Sequence, residues 1–269
     1  MTFESQYITP DIKLSDFKGD RYKTEFAFPY HILVWFIAGE TKIILGPETH
    51  HFGAGDIFLI PKDQVATFII SAKEGQAHRS VTMHLTTAKL KEYYASNPPV
   101  ITTSLPKKVI SFGKHPLLES CLASLIPWFN VEGSFPENIA SLKIIEAISI
   151  LRIAHPGIDS ILANFEEPGK IELIEFMEKH FMYNLPLEKF GYLTGRSLST
   201  FNRDFRKAFQ TAPQKWLMQR RLELAHYQLR DGSKRPVDVY MEVGFEDLSH
   251  FSFAFKKHFG YPPAELVKK

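Results

Sequence analysis

Two short runs of polar and basic residues, fifty positions apart, hold the side chains of this chain best suited to binding chemistry. In the first run, Ser199, Thr200, Arg203, Arg206, Lys207 and Gln210 fall on one side of a helix when residues are turned about 100° each. Leu198, Phe201, Phe205, Ala208 and Phe209 fall on the other side. Hydroxyls at the start of a helix and cationic groups towards its end suit contact with base edges and then with phosphates. A lone basic face of this kind also reads as a solvated surface, but here the pattern is duplicated. Leu198, Phe201, Phe205, Phe209 and Pro213 recur as Leu248, Phe251, Phe255, Phe259 and Pro263, with Ser249, Lys256 and Lys257 repeating the polar positions. The phenylalanine stripe is assigned to the core and has no ligand role.

Each run needs elements that hold it in place. Leu187, Phe190 and Leu193 mark a short amphipathic helix before the first run, and Val237, Tyr240 and Val243 mark its counterpart. Gly195 then Ser197, and Gly244 then Asp247, supply a turn residue followed by an N-cap. The grammar is helix-turn-helix, over about 187–209 and 237–259.

The segments Gly244-Phe245-Glu246-Asp247-Leu248-Ser249-His250-Phe251 and Phe255-Lys256-Lys257-His258-Phe259-Gly260-Tyr261-Pro262-Pro263 resemble the AraC/XylS family of bacterial transcription regulators, as do Arg221-Leu222, Ala225 and Leu229. The resemblance covers about the last hundred residues. It implies two helix-turn-helix units joined by one helix, here within 211–230, with Met218, Leu222, Ala225 and Leu229 as its buried stripe. It also implies that Ser199, Thr200, Asn202 and Arg203 face bases in the first unit, and Ser249, His250 and Phe253 in the second. The chain departs from the family pattern at Gly191 and Tyr240, where Ala is usual, and at Phe253, where Arg is common.

The N-terminal part reads as β-rich. Strand-length runs cover 31–38, 42–45, 57–60, 64–70 and 78–85, with Gly53-Ala54-Gly55-Asp56 forming a turn. Closely spaced short strands suggest a sandwich or small barrel. Gly55-Asp56 followed by Ile60-Pro61 resembles the cupin-like sensor domain that often precedes this DNA-binding module. In a regular strand, His78, Ser80, Thr82 and His84 share one face. Three roles are open to them: hydrogen bonding within strands, a polar lining for a small effector, or metal ligation. The cupin His-x-His with a later Glu is absent, so no metal and no cofactor is expected. Cys121 lies among leucines, where a small buried hydrophobe and a redox sensor are the alternatives.

Helices are expected over 115–129 and 139–155, the second apolar around much of its circumference. Burial within the chain and contact with a second copy are both consistent with that. Glu166-Glu167-Pro168-Gly169 marks a linker over 164–169. The expected architecture is therefore α+β in two domains. A cupin-like β-barrel with helices, for sensing and dimerisation, spans 1–163, and an all-α double helix-turn-helix spans 170–269.

Charge follows this division. Residues 1–167 hold 15 Lys+Arg and 18 Asp+Glu, net −3; residues 168–269 hold 17 and 12, net +5. Basic charge thus gathers where phosphates would be met. No apolar run is long enough to span a bilayer and the first twenty residues lack a signal peptide, so a cytoplasmic protein with no membrane partner is expected. The expected partners are promoter DNA, a small-molecule effector, a second copy of the chain and, by resemblance, RNA polymerase. The expected function is sequence-specific transcriptional regulation, more in keeping with activation, and not enzymatic. A cupin-type metalloenzyme with a DNA-binding tail and an effector-blind architectural DNA binder are the alternatives.

Overall fold

The computed structural model describes residues 2–19, 21–45, 48–72, 77–101, 108–131, 135–230 and 234–266. Contacts divide the chain into two compact units, 1–166 and 167–269. The first unit holds strands β1 Thr2–Thr9, β2 Ile12–Lys18, β3 Tyr22–Ala27, β4 His31–Ala38, β5 Glu40–Leu45, β6 Glu48–Phe52, β7 Ile57–Ile60, β8 Val65–Ser71, β9 His78–Leu85 and β10 Ile110–Gly113. Its helices are α1 Thr87–Ser96, α2 Pro116–Ala123, α3 Glu137–Ala154 and α4 Asp159–Leu162. The second unit is helical: α5 Leu173–His180, α6 Leu187–Leu193, α7 Leu198–Phe209, α8 Pro213–Arg230, α9 Pro236–Glu242 and α10 Leu248–Phe259.

The first unit has three layers. A six-stranded sheet, ordered β1-β2-β9-β4-β7-β10, is covered on one face by a four-stranded sheet, β3-β8-β5-β6, and on the other by helices. Alternation along β4 separates the two cores: Ile32, Val34 and Phe36 pack between the sheets, while Leu33 and Trp35 pack against the helix layer. Burial on both faces explains why β4 and β7 read as continuous apolar runs rather than alternating ones. Gly39 turns the chain from β4 into β5 at φ 81, where a Cβ would lie 2.7 Å from the His78 Cα.

Two expectations are corrected. The sheets do not close into a barrel: among the described residues no ladder joins β1 or β10 to β3 or β6. β10 has four residues and breaks register between Ser111 and Gly113, so it is too short to bend across into the second sheet. The helix expected over 115–129 is two pieces, α2 and a 3-10 turn at Ile126–Asn130. Pro127 lacks an amide hydrogen, and its ring would clash with the carbonyl of Ala123 in a continuing α-helix.

In the second unit the joining helix serves two cores. Trp216, near its start, packs on Phe205 and Phe209 at ring distances of 5.6 and 4.6 Å. Leu222, Ala225 and Leu229, further on, belong to a separate core with Val239, Val243, Phe251 and Phe255. The two helix-turn-helix units differ by one residue in the turn. The N-caps Ser197 and Asp247 are fifty apart, whereas the αL glycines Gly195 and Gly244 are forty-nine apart. The leading helices are therefore offset by 49, and the place of Phe190 is taken by Val239, both fully buried. Val237, expected on the buried stripe, is instead 46% exposed.

Within the second unit, Arg221 ties the two helix-turn-helices together. Its guanidinium donates to the carbonyls of Phe181 at 2.9 Å, Tyr183 at 2.7 Å and Gly244 at 3.1 Å. Gly244 itself has φ 92, and a Cβ there would lie 2.5 Å from the Met182 carbonyl oxygen. Gly244→Ala combines left-handed strain with a backbone collision, so it is expected to cost about 2–4 kcal/mol. Chemical denaturation of the wild-type and variant full chains checks this, and a loss under about 0.5 kcal/mol, the ordinary surface value, would overturn the packing argument.

Candidate nucleic-acid interface and sheet-sheet pocket

α7 and α10 are capped alike. Ser197 Oγ accepts from the Thr200 amide at 3.3 Å, and Asp247 Oδ1 from the His250 amide at 2.7 Å. Both helices end in a left-handed residue, Gln210 at φ 53 and Gly260 at φ 86. Between the caps the burial sequence of 201–210 repeats residue for residue in 251–260. Phe201, Phe205, Phe251 and Phe255 are fully buried, as the stripe requires. Leu198, at 38% exposure, and Ala208, which is exposed, lie outside it because they sit on the rim of the stripe.

The outward faces hold the predicted residues. Ser199, Arg203, Arg206, Lys207, Ser249, His250, Phe253, Lys256 and Lys257 are exposed, and Thr200 and Asn202 are half-buried. The Ser199 hydroxyl lies 3.1 Å from that of Ser197, which also donates to Thr200 Oγ1 at 3.0 Å, so the first turn of α7 ends in a cluster of hydroxyls. The Asn202 amide nitrogen is committed to the Leu198 carbonyl at 2.9 Å. Arg203 is extended into solvent, with its Nε 3.5 Å from Asp204 Oδ1. Asp204 is held chiefly by Arg196, whose Nε donates to it at 3.2 Å and lowers the pKa of its carboxyl. Among the described residues, Arg206, Lys207, Lys256 and Lys257 meet no carboxylate. Each helix therefore offers a polar first turn and a cationic last turn on one accessible face, an arrangement that fits a groove with phosphates along its edge.

His78, Ser80, Thr82 and His84 lie together on the inner face of β9, buried against the second sheet and lining one cavity of about 60 Å³. His78 Nε2 pairs with the Thr41 hydroxyl across the sheets at 2.9 Å. The His84 Nδ1 donates to the Pro10 carbonyl at 3.3 Å, which leaves Nε2 as an acceptor with no partner among the described residues. Burial pushes the pKa of both imidazoles down to about 4, and for His84 the nearby Lys13 charge adds to the effect. Lys13 and Ser15 also line the cavity, and burial lowers the Lys13 pKa. These two were not expected from the sequence. They alternate with Ile12 and Leu14, which reads as a solvent face, whereas here Ile12 and Leu14 face the helix layer and the polar pair faces the other sheet. Among the described residues, no group of three or more His, Cys, Asp and Glu side chains converges as a metal site would require.

Residues 193–269 match the helix-turn-helix domain, and residues 31–152 match the ExsA N-terminal regulatory domain. The thermoregulatory protein LcrF of Yersinia pestis is 29% identical over 164 residues, 60% of each chain. The virulence regulon transcriptional activator VirF of Yersinia enterocolitica is 28% identical over 162 residues, 60% of this chain and 59% of that one. The HTH-type transcriptional regulator ExsA of Pseudomonas aeruginosa is 30% identical over 158 residues, 58% and 56% respectively. The chain thus spans about 60% of the length of the curated relatives it matches. A helix-turn-helix domain behind an ExsA-type regulatory domain agrees with the resemblance of the sequence to the AraC/XylS family of transcription regulators.

Proposed function

We propose that this protein is a sequence-specific, DNA-binding regulator of transcription, acting as an activator. The observation that carries the reading is the matched pair of capped helices whose exposed faces run from polar to cationic in the same direction. α8, at 18 residues, is about 27 Å long at 1.5 Å per residue. A rigid connector of that length suits two readers about one DNA turn, ~34 Å, apart. The net charge of +5 over residues 168–269 supports phosphate neutralisation, and the relative VirF is itself described as a transcriptional activator. In this reading the base-facing residues are Ser199, Thr200, Asn202 and Arg203, with Ser249, His250 and Phe253, and the phosphate contacts are Arg206, Lys207, Lys256 and Lys257. The protein is not an enzyme, works in the cytoplasm and, as an activator, meets RNA polymerase at the promoter. No helix among the described residues is long and apolar enough to cross a membrane.

Residues 1–163 act as the sensing and dimerisation domain and 164–169 as the linker. The sheet-sheet cavity supports effector binding, because it joins apolar walls to the half-buried Lys13 and the buried His78 and His84. At about 60 Å³ it has room for only a few water molecules. Any larger effector must part the sheets, so binding selects a minor, opened conformation. α3 supports dimerisation: Ala140, Ile144, Ala147, Ile148 and Leu151 are buried within the unit, while Leu142, Ile145 and Ile153 are exposed at 62, 38 and 76% along the other side.

Three measurements test these readings. The full chain, given a random duplex library at low salt, is expected to select a bipartite site, with affinity falling steeply as salt rises. Lys256→Ala with Lys257→Ala should reduce the log-log salt slope by about 2 without changing the selected sequence. Arg203→Ala should weaken base preference in one half of the site by about 1–3 kcal/mol. A folded protein that binds no duplex would refute the assignment.

For dimerisation, sedimentation of the full chain at about 10 µM, a range suited to moderate interfaces, should show a dimer. Leu142→Glu with Ile153→Glu should give a folded monomer, since both positions are exposed already. An unchanged dimer would move the interface elsewhere.

The two histidines also set a pH dependence. Their folded pKa of about 4 lies below the unfolded value of about 6.5, so the unfolded chain binds more protons in between and stability falls as pH drops through that window. Thermal unfolding should show the loss between about pH 6.5 and 4, and His84→Gln should reduce it. A variant with the full wild-type loss would show that His84 does not become charged on unfolding.

A further inference from the structure

The two reading faces share an N-cap, a left-handed C-cap and a basic pair in the last turn, and differ at their centres. Taking Ser249 as the origin and about 100° per residue, Phe253 stands at about 40°, between Lys256 at about −20° and Lys257 at about 80°, with His250 at about 100°. The buried Phe251 and Phe255 stand at about 200° and 240°, so Phe253 points almost directly away from its own core. The structure bears this out: Phe253 is 68% exposed, and among the described residues it packs against no other ring, whereas His250 is held at 5.6 Å from the Phe245 ring. Arg203 holds the equivalent place on α7 and is likewise exposed. Single apolar residues on a surface are ordinary. This one is ringed by cations that meet no carboxylate, at the position where the sister helix carries its guanidinium.

We infer that Phe253 reads thymine 5-methyl groups in the major groove, so that the second helix selects its bases by apolar contact where the first selects by hydrogen bonding. The inference rests on the DNA-binding reading above. A phenyl ring neither donates nor accepts the hydrogen bonds that distinguish base edges, and among the groups displayed in the major groove only the thymine methyl is apolar. Lys256 and Lys257 hold the flanking phosphates, and the caps at Asp247 and Gly260 fix the rotation of the helix, so the ring is presented to the groove floor without a search over orientations.

The test uses the full chain and a site selected from a random duplex library. Each thymine in the half read by the second helix is replaced in turn by deoxyuridine, which removes the methyl and leaves base pairing intact. For the wild type, at least one replacement should weaken binding about three- to tenfold, in keeping with burial of one or two apolar carbons. For Phe253→Ala the same replacement should have no effect, and 5-methylcytosine in place of cytosine at that position should recover affinity only with the wild type. Phe253→Arg should move the preference at that step from thymine to guanine. Equal sensitivity to deoxyuridine in wild type and Phe253→Ala, or none in either, would overturn the inference while leaving DNA binding standing. Failure of the wild-type chain to select any site would instead remove the DNA-binding reading, and this inference with it.

Discussion

The geometry of the second unit depends on one guanidinium. Arg221 sits on the joining helix and donates to three carbonyls, two at the end of the first helix-turn-helix core's scaffold and one in the turn of the second. Each of these oxygens terminates a helix or turn and would otherwise need water. A planar cation with several donors in fixed directions satisfies all three at once, which a lysine could not do. Two separate aromatic cores, one around Trp216 and one around Phe251 and Phe255, would each be stable in more than one mutual orientation. The Arg221 contacts, with Gly244 pressed on the Met182 carbonyl, select one.

The first unit solves a different problem. Its larger sheet is covered on both faces, so the same strands carry the pocket on one side and the helix layer on the other. β9 presents His78, Ser80, Thr82 and His84 inward and Val81, Met83 and Leu85 towards the helices. A displacement of that strand cannot change one face alone. The Arg152–Asp159 pair at 2.9 Å, its carboxylate buried, with Tyr94 and the Val100 amide also bonded to Asp159, fixes α3 to the segment that leads out towards residue 166. A ligand that parted the sheets would therefore act on α3 through packing rather than through any direct contact.

Much of this was legible in the sequence for identifiable reasons. The helices α7 and α10 and their caps were readable because phenylalanines at helical spacing and Ser or Asp at the N-cap are strong local signals. The strands β4, β7 and β9 were readable because double burial makes them apolar throughout or strictly alternating. β1, β2 and β3 were not, because Lys13, Ser15 and Glu25 break the apolar pattern that marks a strand. Lys13 and Ser15 escaped notice for the same reason: local alternation tells which residues share a face, and only the second sheet decides which face is inside. Barrel closure was beyond local reading altogether, since it depends on whether the edges β10 and β6 meet.

The duplication at the C-terminus is a repeat of core and caps more than of surroundings. In the first helix-turn-helix the chain at 169–171 lies across the turn: Gly195 would carry a Cβ 2.5 Å from the Gly169 carbonyl, and Arg196 donates to the Ile171 carbonyl at 3.0 Å. In the second, the turn is one residue longer and its Glu246 reaches Asn184 at 2.5 Å while Gly244 meets Met182. Both turns are thus covered by chain that precedes the first helix-turn-helix, and both have a glycine in the left-handed region at the point of closest approach. What the two units share is therefore what presents a helix to solvent, and what distinguishes them is how each is fastened to the rest of the unit. That division leaves the outward positions free to diverge, as Arg203 and Phe253 have, without disturbing the frame that holds them.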